Sequence, residues 1–212
     1  MIIKHINIFS QNVHKNNLLT NTILEAQRNF DIIFIQEPPW SIIQFIPSSS
    51  NKEREELVGI PNYPNWITFS RNPSNPQDLL RVITYINIRL SDLCFSLCKD
   101  LLDHRDISCI SFFNCGSIYF MLNVYSDSSQ TALKYFKNTK ANINNVLIMT
   151  GNFNIRDSFW DPLFPNHSVY SDILTDIADT LNLCIFNTTV QVSTRYANNS
   201  NDLNSVIDFM FL

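Results

Sequence analysis

The sequence predicts an α/β protein: two mixed sheets packed face to face, with helices on the outside. Three observations carry this expectation. Roughly nine short runs either alternate apolar and polar residues or are continuously apolar, as strands do. Amphipathic helical segments lie near both ends, with most of the strands crowded between them. Hydrophobic residues make up 45% of 212, enough for one large core.

The elements follow in order. Residues 2–12, "IIKHINIFSQN", alternate like a half-buried strand. Residues 16–30, "NNLLTNTILEAQRNF", set Leu19, Ile23 and Ala26 at helical spacing. "DIIFIQE", 31–37, is nearly all apolar and suits a strand buried on both faces. Residues 38–65 hold prolines, serines and the charged run "NKEREE", so they read as a long surface connection with some local order. Strands are expected at 65–71, 80–90, 107–113 and 117–126. A helix at 130–143 and a strand at 145–150 come next, then an irregular stretch over 152–169. The helix at 171–182 carries Ile173, Ile177 and Leu181 on one face. Strands at 183–189 and 205–212 close the chain, separated by a loop rich in Asn and Ser.

Composition narrows the function classes. The formal net charge is −4, which argues against a strongly basic nucleic-acid binder but not against a local basic cleft. Five cysteines without paired spacing make a poor disulfide framework. Cys94 and Cys98 resemble half of a metal site, but no second Cys/His pair lies at a suitable distance, so reduced thiols inside a cell are expected. No apolar run approaches the ~20 residues of a membrane span. The first residues are too few and too polar for a secretory signal.

In α/β folds the chemistry gathers just past the carboxyl ends of strands. The polar groups found there are Asn12, Glu37, Tyr125, Asn152, Asn154, Thr194 and Arg195, with Asp208 inside the last strand. Each has a plain structural explanation. A strand-end Glu is commonly solvated, Asn is common turn chemistry, and Tyr125 could pack its ring and wet its hydroxyl. Only Asp208, in an apolar strand, would be costly without a partner. The ordered set says more than any one member.

"QN", "DIIFIQEP", "LNVYS", "TGNFNIRDSFWDP", "TRY" and "NSVIDFMFL", in that order, resemble the endonuclease/exonuclease/phosphatase superfamily. The nearest resemblance is to the endonuclease domains of non-LTR (LINE-type) retrotransposon polyproteins. It spans nearly the whole chain, so residues 1–212 read as one domain. The resemblance implies a four-layer α/β/β/α sandwich of two mixed sheets. It also implies cleavage of phosphodiester bonds in DNA with Mg²⁺ (or Mn²⁺), no other small-molecule cofactor, and a nuclear site of action.

The resemblance assigns roles residue by residue. Glu37 matches the metal-holding carboxylate, and Asn12 the residue that steadies that metal. Tyr125 matches a tyrosine that binds the scissile phosphate. Asn154 matches the asparagine that orients phosphate and water. Thr194 and Arg195 lie where relatives contact DNA, and Asp208 matches the aspartate that orients a catalytic histidine. Two departures stand out. The family motif is G-D-F-N, and Asn152 replaces the Asp that activates water. An amide cannot take up a proton as a carboxylate does. General-base help is worth about 10²–10⁴ in rate. The family's last strand, ending Ser-Asp-His, is also absent before Leu212, and His5, His14, His104 and His167 do not match it. Losing such a donor costs on the order of 10²–10³. The expectation is therefore a DNA-nicking endonuclease domain, C-terminally truncated, that is weak or inactive. A non-catalytic DNA-binding or relic form, or a phosphoester phosphatase, are the alternatives.

Overall fold

The computed structural model describes residues 5–26, 29–39, 44–47, 55–58, 63–71, 80–139, 143–161, 164–185 and 208–212. The first half of the chain runs β1 (Ile8–Asn12), α1 (Asn17–Glu25), β2 (Ile32–Gln36), β3 (Gln44–Pro47), β4 (Glu55–Val58), β5 (Trp66–Phe69) and β6 (Val82–Asn87). The second half runs β7 (Ser96–Leu97), β8 (Ile107–Asn114), β9 (Ser117–Tyr125), α2 (Thr131–Thr139), β10 (Val146–Asn152), α3 (Val169–Thr180) and β11 (Asp208–Phe211).

Two mixed sheets form. One has the order β1-β2-β6-β5, and the other β11-β10-β9-β8-β7. Period two explains how they stack. In β2, Ile33 and Ile35 face outward and join Ile23 and Leu24 of α1 in one core. Their neighbours Ile32 and Phe34 face inward and meet Ile110, Phe112, Met121 and Ile148 of the second sheet. On that sheet's far side, Leu122, Val124 and Met149 pack under Leu133 and Phe136 of α2 and Leu174 and Ile177 of α3. Three apolar layers therefore separate four structural layers, α/β/β/α.

The helices start where side chains can satisfy free N–H groups. Asn16 accepts from the Leu19 N–H at 3.0 Å to begin α1. Ser168 accepts from the Tyr170 N–H at 3.3 Å to begin α3. Asp172 in its first turn faces the positive end of the helix dipole. The Trp66 indole donates to the Leu24 carbonyl at 3.1 Å, which ties α1 to β5.

The local order within the connection over 38–65 includes the antiparallel pair β3–β4. Some expectations need correction. Position 143, expected to be helical, is not; α2 is described as far as Thr139. In the run expected as a strand at 183–189, Ile185 makes a single bridge to Phe211, and 186–189 lie outside the described residues. Gly151 lies inside β10. A Cβ there would sit 1.8 Å from the Val124 carbonyl oxygen, so only glycine lets β10 lie this close to β9.

Candidate functional site

β1 and β2 are parallel, as are β9 and β10, so within each pair the carboxyl ends coincide. A buried amide pair joins the two ends across the sandwich. The Gln36 Nε2 donates to Asn123 Oδ1 at 2.7 Å, and Asn123 Nδ2 donates to the Ile83 carbonyl at 3.0 Å. Fully satisfied buried amides of this kind fix the register of layers that apolar contacts alone would let slide. The result is one shared mouth.

Glu37 stands at that mouth. Its backbone is left-handed, φ +49, although it is a bulky residue followed by Pro38. Surrounding bonds hold this shape. The Glu37 N–H donates to the Arg81 carbonyl at 2.8 Å, and its carbonyl accepts from Lys15 N–H at 2.7 Å. Strain of this kind persists only where neighbours over-determine it, and it concentrates at functional sites. Glu37 Oε2 accepts from Asn12 Nδ2 at 3.0 Å and lies 3.2 Å from His14 Nδ1. The Tyr125 hydroxyl lies near enough to this carboxylate to help hold it ionised. The His14 bond, opposed by burial and helped by Asn12, the His14 charge and Tyr125, lowers the Glu37 pKa to about 2. Burial, with the Glu37 charge, pushes the Tyr125 hydroxyl up to about 12, so it stays a proton donor.

Asn12 is almost fully buried, and its Oδ1 accepts from the His14 N–H at 2.9 Å. Asn152 ends β10, in register with Tyr125 on one side and Asp208 on the other. It is 1% exposed, and its Oδ1 has no hydrogen-bond partner among the described residues. Asn154 is left-handed at φ +50, a shape Asn tolerates. A closed ring of bonds sets its amide. Asn154 Nδ2 donates to the Ser126 carbonyl at 2.7 Å, Gln130 Nε2 to the Asn154 carbonyl at 3.2 Å, and Ser126 Oγ to Gln130 Oε1 at 2.7 Å. Asp208 opens β11 opposite Asn152, while Thr194 and Arg195 lie outside the described residues.

Three participants escaped the sequence reading. Arg81 holds Glu37 through its carbonyl and lays its guanidinium 5.3 Å from the centre of the Tyr125 ring. Its side chain is fixed by Asp127 at 3.2 Å and by the fully buried Asp106 at 3.6 Å. Gln130 positions Asn154 from a left-handed backbone of its own, φ +56. His14, set aside as matching no motif, touches the central carboxylate. Motif order gave no signal for any of them.

The donor set fits a hard divalent cation. One ionised carboxylate reaches the surface, and a buried amide oxygen lacks a donor. Among the described residues, no three His, Cys, Asp or Glu side chains group closely enough to hold a metal by themselves. Water and substrate would complete such a shell, as is usual for Mg²⁺. Among the described residues, no helix is long and apolar enough to cross a membrane.

No protein-family model matches the chain, and no curated protein does either. Solved structures do match. The endonuclease domain of TRAS1, a telomere-specific non-LTR retrotransposon, is similar with a TM-score of 0.69 and 16% identity, over 98% of this chain and 84% of that one. The AP endonuclease LMAP from Leishmania major is similar with a TM-score of 0.63 and 11% identity, over 96% and 78%. An endonuclease/exonuclease/phosphatase family protein from Leptotrichia buccalis reaches 0.51 at 13% identity, over 98% and 87%. The chain thus has the endonuclease/exonuclease/phosphatase fold.

Proposed function

We propose that this chain is a DNA endonuclease domain of the retrotransposon type, hydrolysing phosphodiester bonds with Mg²⁺ or Mn²⁺, and that Asn152 leaves it slow. One observation carries the reading. Asn12 and Glu37, far apart in sequence, are hydrogen-bonded to each other, with the Tyr125 hydroxyl close beside the carboxylate, at the mouth shared by both sheets.

Glu37, with Asn12 bracing it, is the residue to hold the cation. The cation, when bound, supplies positive charge where negative charge builds on the phosphoryl group. Tyr125 keeps its proton and donates to a phosphate oxygen. Asn154 has its Nδ2 occupied, which leaves Oδ1 to accept from an attacking water. Asn152 Oδ1 can also accept from that water but cannot take its proton. The neutral amide at this point specifically favours a second reading, a DNA-binding module that does not cut. A phosphatase acting on small phosphoesters is a third.

A plasmid-nicking assay with either metal separates these readings. It compares the chain as it stands with Asn152→Asp. Cutting should appear or rise with the restored carboxylate. If the folded Asn152→Asp protein never nicks DNA, the endonuclease reading fails. Salt-dependent DNA binding without cutting would then support the binding module. Turnover of an inositol phosphate instead would support the phosphatase.

A further inference from the structure

The backbone around residue 14 is folded in an uncommon way. His14 and Lys15 are both left-handed, at φ +47 and φ +60, and neither is glycine or asparagine. Two consecutive residues of this kind reverse the chain just after β1. The reversal lets the His14 N–H reach Asn12 Oδ1, and it lets the Lys15 N–H reach the Glu37 carbonyl. It also carries the imidazole to the carboxylate, with Nδ1 3.2 Å from Glu37 Oε2. The ring is well exposed, so solvent and ions can approach the pair from outside.

We infer that His14 is a metal ligand alongside Glu37, so that the site prefers Mn²⁺, a hard ion that also accepts imidazole, to Mg²⁺. This rests on the metal-dependent reading above. Two neighbouring ligands of one octahedral ion, each at about 2.1–2.2 Å, stand about 3.0–3.1 Å apart. The observed 3.2 Å is already close to that separation. One nitrogen and one carboxylate oxygen, with the unpartnered Asn152 Oδ1 at the same strand ends, make a mixed N/O set. Mg²⁺ is an ion of oxygen shells and gains little from imidazole, whereas Mn²⁺ and later divalent metals accept it. The same contact holds the site together without a metal, because the imidazole then simply bonds the carboxylate.

The test is binding, not turnover. Isothermal titration at about pH 8, where an ordinary imidazole is neutral, compares Mn²⁺ with Mg²⁺ for the full chain, His14→Asn and Glu37→Gln. Mn²⁺ should bind at least about tenfold tighter than Mg²⁺ to the parent chain. His14→Asn should lose about tenfold in Mn²⁺ affinity while Mg²⁺ affinity moves less than about threefold. Electron spin-echo spectra of the Mn²⁺ form should show coupling to one imidazole nitrogen, and that coupling should vanish in His14→Asn. Loss of binding in Glu37→Gln with an unchanged His14→Asn would overturn this inference and leave the metal site at Glu37 standing. Unchanged binding in both variants would overturn the metal site itself. Circular dichroism of each variant verifies that the fold persists.

Discussion

Asn152→Asp should make the protein less stable and the chemistry faster, and the two effects have one cause. The side chain is 1% exposed, and its Oδ1 faces no donor. A carboxylate placed there loses water and gains no hydrogen bond, so burial raises its pKa. Each unit of increase costs about 1.4 kcal/mol once pH exceeds the raised value. A rise of about two units, modest for a group this buried, gives about 2.7 kcal/mol. For a domain of this size that is a Tm lower by roughly 5–11 °C. The sign follows from linkage. The folded state would hold its proton longer than the unfolded chain, so stability falls as pH rises from about 4 to the raised pKa. Below about pH 4 the variant should approach the parent. Added Mn²⁺ or Mg²⁺ should restore much of the loss at neutral pH, since a cation is the missing partner. Thermal melts of both proteins across pH, with EDTA and with each metal, measure all of this. A variant as stable as its parent in EDTA at neutral pH would refute the reasoning, because position 152 would then not be a buried, unsatisfied site.

Four further outcomes are expected. Gly151→Ala should lose more than about 3 kcal/mol in urea denaturation, because the new methyl would meet backbone atoms of Val124 that cannot turn aside. Arg81→Met should lose about 3 kcal/mol, since buried Asp106 would lose one of its two cationic neighbours among the described residues and keep Arg105 and a hydrogen bond from Thr131. It should also cut any nicking activity by loosening Tyr125. Gln130→Ala should lower kcat for nicking in the Asn152→Asp background, with little change in KM, if Asn154 must be held for attack. His167 bridges Asp172 at 3.0 Å and Asp157 at 2.9 Å, and the Asp172 hydrogen bond leads the causes that raise its pKa. Its contribution is therefore complete below the ordinary imidazole pKa of about 6.5 and is lost as pH climbs through the raised value. His167→Gln should flatten the slope of Tm against pH in that window.

The layers were legible because period two is a property of the letters themselves. Ile32 to Gln36 could be read as a strand buried on both faces, and the structure gives it a helix layer on one side and a second sheet on the other. The β3–β4 pair was not legible, since four-residue strands within prolines, serines and charges leave too short a pattern. The strand-end residues Asn12, Glu37, Tyr125, Asn152 and Asn154 could be found by position and motif. What holds them could not. Glu37, His14, Lys15 and Gln130 adopt left-handed backbones that no local preference favours; remote backbone bonds hold Glu37 and Lys15, while His14 and Gln130 reach Glu37 and Asn154 with their side chains. Arg81 acts on Glu37 through a carbonyl that every residue possesses. Local sequence resists these shapes, so tertiary bonds must impose them, and strain of that origin sits where a fold is shaped for a ligand rather than for stability. That this strain surrounds Glu37 although position 152 is an amide is what the proposed metal-binding role of the mouth requires, independently of any role in the rate.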